Sequence, residues 1–242
     1  MNQLLDITGL KKQFGGLTAV NEVSFSVAAG EITALLGPNG SGKTTLLNMI
    51  SGALSPTSGS IVLGGETISG LPPHRIAHKG VSRTFQLVKI LPSLSVAENV
   101  MAALAFRPDP LWGKAAQDRA NALLAQVGLD GRGHEHADDL TYIDQKRMEL
   151  ARALAAEPRL LLLDEWLSGL NPTELRVGID LILSLRDSGM TIILVEHIME
   201  AVRALCSRAI VMNVGKKIAE GPTSEVLDDP AVIAAYLGEG HA

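Results

Sequence analysis

Four short segments in the first third of the chain, LLDITGL, EVSFSV, EITALLG and SIVLG, carry apolar and β-branched residues at strand spacing, separated by the glycine turns AAG and LGG. Runs of this kind predict strands, and their crowding predicts an antiparallel sheet beside a second core. From about Ser95 to Ala156 the period becomes helical. VAENVMAALA and AAQDRANALLAQVG repeat apolar residues every three or four positions, and RPDP and DGRGHEHADD break the helices apart. The last third alternates again: LLLLD, a helix from Pro172 to Asp187, TIILVEH, another helix, and AIVMNV. Continuous apolar strands joined by helices predict a parallel sheet covered on both faces.

Composition narrows the picture. With 242 residues, 46% of them hydrophobic, the chain has material for one large domain or two interlocked lobes. A net charge of -5 and a pI near 5.7 argue against a nucleic-acid partner, because phosphate-backbone affinity rests on clustered Lys and Arg. The single cysteine, Cys206, reads as a small buried hydrophobe in a reducing compartment. The apolar runs ITALLG, LLLL, TIILV and AVIAAYL are shorter than the ~20 residues a membrane-spanning helix needs. MNQLLDITGLKKQF has none of a signal peptide's order, so an intracellular protein is expected, with any membrane contact peripheral.

The chemistry begins at GPNGSGKT, which matches G-x-x-x-x-G-K-[ST] from Gly37 to Thr44, between the strand EITALL and the helix TTLLNMIS. Glycines let backbone amides close around phosphates, and the helix N-terminus adds its dipole. Gly37, Pro38, Asn39, Gly40, Ser41, Gly42, Lys43, Thr44 and Thr45 are the expected nucleotide-binding residues. Lys43 would reach the β- and γ-phosphates, and the Thr44 hydroxyl would bind Mg²⁺. A second element is RLLLLDE, four leucines of a buried strand with Asp164 and Glu165 at its end. Asp164 is expected in the Mg²⁺ coordination sphere, and Glu165, one residue on, to activate the attacking water. HEH at His134 to His136, near Asp138 and Asp139, is not read as a metal site, since it lies in a polar glycine-rich loop without a thiol or supporting shell.

With these motifs the chain resembles the ATP-binding cassette ATPases over nearly its whole length. Gln86 in SRTFQ matches that family's Q-loop, SGLN (Ser168 to Asn171) its D-loop, and His197 in TIILVEH its switch histidine. Phe14 stands where the family has the aromatic that stacks on adenine. Within the family, FGGLTAVNEVSFSV, PTSGSIVLGGETISGLPPHRIA, GLNPTE, LVEHIMEAV and the tail AVIAAYLGE resemble the ATPases of bacterial branched-chain amino acid importers. The resemblance implies an α/β fold with a P-loop NTPase, RecA-like core, an antiparallel β subdomain and an inserted helical subdomain. Residues 1–86 and 157–242 would form the core with the β subdomain, and 87–156 the helical subdomain. It further implies ATP and Mg²⁺ as cofactors, Glu165, His197 and Gln86 as catalytic residues, and Thr44, Gln86 and Asp164 around the metal. The implied partners are transmembrane permease subunits, a second cassette facing the first, and, indirectly, an external solute-binding protein. Such a subunit is cytoplasmic, on the inner face of the cell membrane. A cassette ATPase driving lipid or lipopolysaccharide export, and a non-transport cassette protein, are the alternatives.

One motif departs from the family. Where the pattern reads LSGGQ, often with Tyr for the first glycine, this chain has Leu140, Thr141, Tyr142, Ile143 and Asp144. Ile143 would crowd the amides that approach the opposite subunit's γ-phosphate. Thr141 and Asp144 have N-cap and N3 spacing, which would set the Asp144 carboxylate in the anion site. A weak signature favours pairing with a different cassette over a homodimer. Trp166 replaces the usual proline after Glu165, and the sequence offers no physical reason.

Overall fold

A computed structural model of the chain describes residues 3–237. Two long strands, β1 (Gln3–Phe14) and β2 (Leu17–Ala28), form a hairpin, followed by β3 (Ile32–Leu36) and α1 (Lys43–Ile50). Next come β4 (Ser58–Leu63), β5 (Glu66–Thr67), α2 (Pro73–His78) and β6 (Val81–Arg83). The helical stretch holds α3 (Val96–Leu104), α4 (Gly113–Gln126) and α5 (Tyr142–Ala155). The chain then alternates through β7 (Leu160–Asp164), α6 (Pro172–Asp187), β8 (Thr191–Val195), α7 (Met199–Leu205) and β9 (Arg208–Asn213), and finishes with β10 (Lys216–Pro222), α8 (Thr223–Leu227) and α9 (Pro230–Leu237).

The strands form two sheets. A four-stranded antiparallel sheet has the order β2-β1-β4-β5, and a six-stranded sheet the order β10-β9-β3-β8-β7-β6. EITALLG, expected in the antiparallel group, is instead β3, in the larger sheet with parallel β8 and β9 on its two sides. Its five residues are all buried, as suits a strand covered on both faces. The larger sheet is not wholly parallel, since β10 pairs antiparallel with β9 at one edge. Neither β6 nor β10 was expected. β6 is three residues long, and β10 carries two lysines and glycine, a composition that hides an edge strand.

Pleating divides the core in two. Leu161, Leu163, Ile192 and Leu194 point into one apolar cluster, which continues into Val96, Val100, Leu124, Met148 and Ala151 of the helices. Their alternates, Leu160, Leu162, Ile193 and Val195, point into a second cluster with Leu46, Leu47 and Ile50 of α1 and Leu5, Ile7 and Leu10 of β1. The C-terminal ends of β3, β7 and β8 therefore lie side by side, and the loops leaving them carry the candidate site. Cys206 is 4% exposed, and burial pushes its thiol up to about 12. Among the described residues no helix is long and apolar enough to cross a membrane. Gly238 and Glu239 of the AVIAAYLGE tail lie outside the described residues.

Candidate active site

The loop from Gly37 to Gly42 leaves β3 and feeds α1. Gly37 has φ 143°, and a Cβ there would lie 2.1 Å from the Met212 carbonyl oxygen of β9. Gly42 has φ 104°, and a Cβ there would meet the Ala19 carbonyl oxygen at 2.5 Å. Both positions are therefore open only to glycine. The Lys43 ammonium donates to the Gly37 and Pro38 carbonyls at 2.6 and 2.8 Å, so the loop curls around its own lysine. Pro38 and Ser41 are buried, Thr45 half-buried, and Asn39, Gly40 and Thr44 exposed. From the far end of the chain, the Tyr236 hydroxyl oxygen accepts the Gly37 N–H at 2.8 Å.

Asp164 ends β7 with its side chain only 8% exposed. Arg83, at the end of β6, donates to its Oδ2 at 2.7 Å and to the Asn48 amide oxygen of α1 at 2.5 Å. This arginine links three elements under the phosphate loop; it lies in SRTFQ, but its partners there are set only by the fold. Removing one partner of such a buried pair typically costs ~3–5 kcal/mol, because the other charge is left uncompensated.

Glu165 adopts φ 51°, the left-handed region. That conformation costs a non-glycine residue ~1–3 kcal/mol and survives only where its surroundings enforce it. Both carboxylate oxygens are engaged from separate loops: Gln86 Nε2 donates to Oε2 at 2.7 Å, and His197 Nε2 lies 2.7 Å from Oε1. The structure thus joins Gln86, Glu165 and His197, which are far apart in sequence. Phe14 ends β1 and is 45% exposed, which excludes a core role, and the Lys12 ammonium lies 5.2 Å from its ring centroid.

Glu196, just before the histidine, is a member that motif reading misses. Its Oε1 accepts from Leu167 N–H at 2.7 Å, and Oε2 has no protein partner. Burial pushes its carboxyl up to about 7, against the opposing pull of the Leu167 and His197 amides and the Lys146 charge. Trp166, unexplained by sequence, is 1% exposed and donates its indole N–H to the Lys146 carbonyl at 3.2 Å.

The altered signature forms the start of α5 in a way that corrects two expectations. Ile143 is 8% exposed, so its side chain turns inward rather than crowding the front of the loop. Thr141 is the N-cap, accepting from Asp144 N–H at 3.4 Å and donating its hydroxyl to Asp144 Oδ2 at 2.8 Å. The carboxylate does not stand open in the anion site: Arg132 donates to Oδ2 at 2.7 Å and Arg147 to Oδ1 at 3.0 Å. Burial acts to raise the Asp144 proton affinity, and the bonds from Arg132 and Thr141, with both arginine charges, outweigh it and hold the carboxyl below its usual range. Tyr142 is 47% exposed, and its neighbour Thr141 is exposed as well. Among the described residues no group of three or more His, Cys, Asp or Glu is placed to hold a metal ion.

Comparisons with known proteins give the relatives of the chain. The family model described as "ABC transporter" matches residues 20–168, and one described as "Branched-chain amino acid ATP-binding cassette transporter" matches residues 216–242. The chain is 40% identical to the high-affinity branched-chain amino acid transport ATP-binding protein LivG of Salmonella typhimurium, over 98% of both chains. It is 39% identical to BraF of Pseudomonas aeruginosa, named for the same transport, over 98% of each. With the lipopolysaccharide export system ATP-binding protein LptB of Escherichia coli the identity is 37% over 97% of each. The ADP conformation of MJ1267, an ATP-binding cassette of an ABC transporter, superposes with a TM-score of 0.90 at 29% identity, covering 98% of this chain and all of that one.

Proposed function

The chain belongs to the ATP-binding cassette family of ABC transporters, and from that membership we propose that it is the ATP-hydrolysing subunit of an importer for branched-chain or related amino acids. The match of residues 216–242 to the branched-chain amino acid model supports import over the lipopolysaccharide export named for LptB. The observation that carries the catalytic reading is the convergence of Gln86 and His197 on the two oxygens of Glu165.

In this reading ATP lies on Gly37 to Thr45, its adenine against Phe14, and Lys43 exchanges its loop carbonyls for the β- and γ-phosphate oxygens. Glu165 takes the proton of the attacking water, His197 contacts the γ-phosphate, and Gln86 passes the state of the site to 87–156, the proposed permease-gripping subdomain. The Asp164 carboxylate, the Thr44 hydroxyl and the Gln86 amide oxygen are hard donors of the kind Mg²⁺ takes alongside substrate phosphates, and they would hold it. Bound there, Mg²⁺ supplies positive charge against the phosphate oxygens.

The partners follow the same reading: two permease subunits, an external solute-binding protein, and a second cassette of different sequence. The start of α5 supports a different second cassette. Thr141 occupies the N3 amide, and Asp144 holds the charges of Arg132 and Arg147, so these groups are already paired where a phosphate from the facing subunit would bind. Purification from membranes followed by vesicle reconstitution tests the whole reading. Permeases and a second cassette should co-purify, and a branched-chain amino acid should enter at the expense of ATP. Failure of any membrane subunit to co-purify, or transport of a lipid instead, contradicts it.

A further inference from the structure

Two residues behind the catalytic loop form a reciprocal bracket. The Lys146 ammonium on α5 donates to the carbonyls of Trp166 and Ser168, each at 2.8 Å, and lies 3.4 Å from that of Glu165. In return, the Trp166 indole donates to the carbonyl of Lys146 itself. Both side chains are buried, at 2% and 1% exposure. Gly178 of α6 makes the room: a Cβ there would come within 2.6 Å of Leu167 Cδ2 and 3.3 Å of the indole ring. Burial lowers the proton affinity of Lys146, and the charges of Glu196, Glu149 and Glu165 oppose that. An ammonium in this setting is tolerated because carbonyl oxygens surround it.

The segment it grips begins with the strained residue. Glu165 donates its own N–H to the Val195 carbonyl at 2.8 Å, Leu167 donates to Glu196, and Lys146 stands against the carbonyls between. The left-handed turn at Glu165 is thus held on one side by β8 and on the other by the helix that begins with the signature.

We propose that Lys146 is a positioning residue that, together with Trp166, fixes the direction of the Glu165 carboxylate and ties it to the orientation of α5. Movement of the helical stretch then reaches Glu165 directly through α5, in addition to any signal through Gln86. Lys146 touches no reacting atom. The proposal rests on the reading of Glu165 as the water-activating group.

The test uses the complex purified from membranes, carrying Lys146→Met, Trp166→Phe, both, and each in a Glu165→Gln background. Lys146→Met should lower kcat about tenfold, as misplacement of a catalytic group does, with KM for ATP within about twofold of the unmodified complex. Trp166→Phe should lower kcat about threefold, and the double variant should be no worse than Lys146→Met, because both residues serve one bracket. In the Glu165→Gln background neither should cost anything further. Unchanged kcat in folded variants overturns the proposal, as does an equal loss in the Glu165→Gln background. Should Lys146→Met fail to fold, Trp166→Phe carries the test alone, by the split between kcat and KM. If Glu165→Gln itself hydrolyses ATP normally, the reading of Glu165 fails; if only the Lys146 and Trp166 effects are missing, the positioning role alone does.

Discussion

At the strand ends, Lys43, Asp164, Glu165 and His197 each hold a polar partner, and several of these partners are exchangeable. The Lys43 ammonium rests on carbonyls of its own loop, and the Glu165 carboxylate, 19% exposed, is bridged to His197 and Gln86. At the start of α5 the polar groups are satisfied locally instead. Thr141, Asp144, Arg132 and Arg147 bond one another, and Glu135 bonds Arg132, leaving two negative and two positive charges paired within the cluster. A site that must accept phosphate needs groups whose present partners can be traded for ligand, whereas a closed network gains nothing by opening. This difference is why the strand-end half is proposed as complete and the signature half as dependent on another chain.

The largest effects should come from the strand-end half. Lys43→Ala removes the charge facing the phosphates and should weaken ATP binding by at least about a hundredfold, whereas Glu165→Gln should retain ATP while hydrolysis falls ~10²–10⁴-fold. Equilibrium nucleotide binding beside single-turnover hydrolysis separates the two, and equal loss of affinity in both would break the division of roles. Gln86→Ala should act more mildly. Transport per ATP hydrolysed should fall severalfold while nucleotide affinity stays within about twofold, measured in reconstituted vesicles. An unchanged ratio would remove Gln86 as a coupling residue.

The smallest effect concerns stability, and it sharpens what buried carboxyls do in each half. Glu196 has its folded-state value raised to about 7 from 4.5, so the folded chain binds the extra proton between these values and loses stability as pH rises through that window. Asp144 is lowered, so it contributes stability above its unfolded value of 3.8 that is lost as pH falls through its folded one. Glu196→Gln should therefore raise the unfolding free energy by roughly 1–3 kcal/mol at pH 8 and leave it nearly unchanged at pH 4. Denaturant titrations at the two pH values check it; a gain of equal size at both would assign the effect to packing.

The sequence made the chemistry of the strand ends legible because each residue there sits at a fixed offset from a glycine, a buried strand or a turn. Gly37 and Gly42 are required by backbone approach, and Asp164 by its place at the end of four leucines. Residues whose role depends on a distant contact were hidden. Arg83, Glu196 and Lys146 meet Asp164, Leu167 and Trp166 only through tertiary folding, and nothing in their local spacing marks them. The sheet assignment of β3 failed for a related reason: an apolar run states that a strand is buried but not which strands lie beside it. The signature was misread in detail because two arginines, one of them twelve residues upstream of Asp144, take up its charge.

ATP hydrolysis by the purified chain alone is the most direct test of the contrast between the halves. It should be compared with the Ile143→Gly/Asp144→Gln variant and with the chain mixed with its second cassette. Replacing Asp144 leaves the Arg132 and Arg147 charges available to phosphate, and Ile143→Gly brings the motif to the family's glycine. The account predicts slow, non-cooperative hydrolysis by the unmodified chain, a rise of about tenfold or more in the double variant, and the fastest turnover in the mixed complex, from one composite site. Rapid, cooperative hydrolysis by the unmodified chain alone, unimproved by the double substitution, would contradict it.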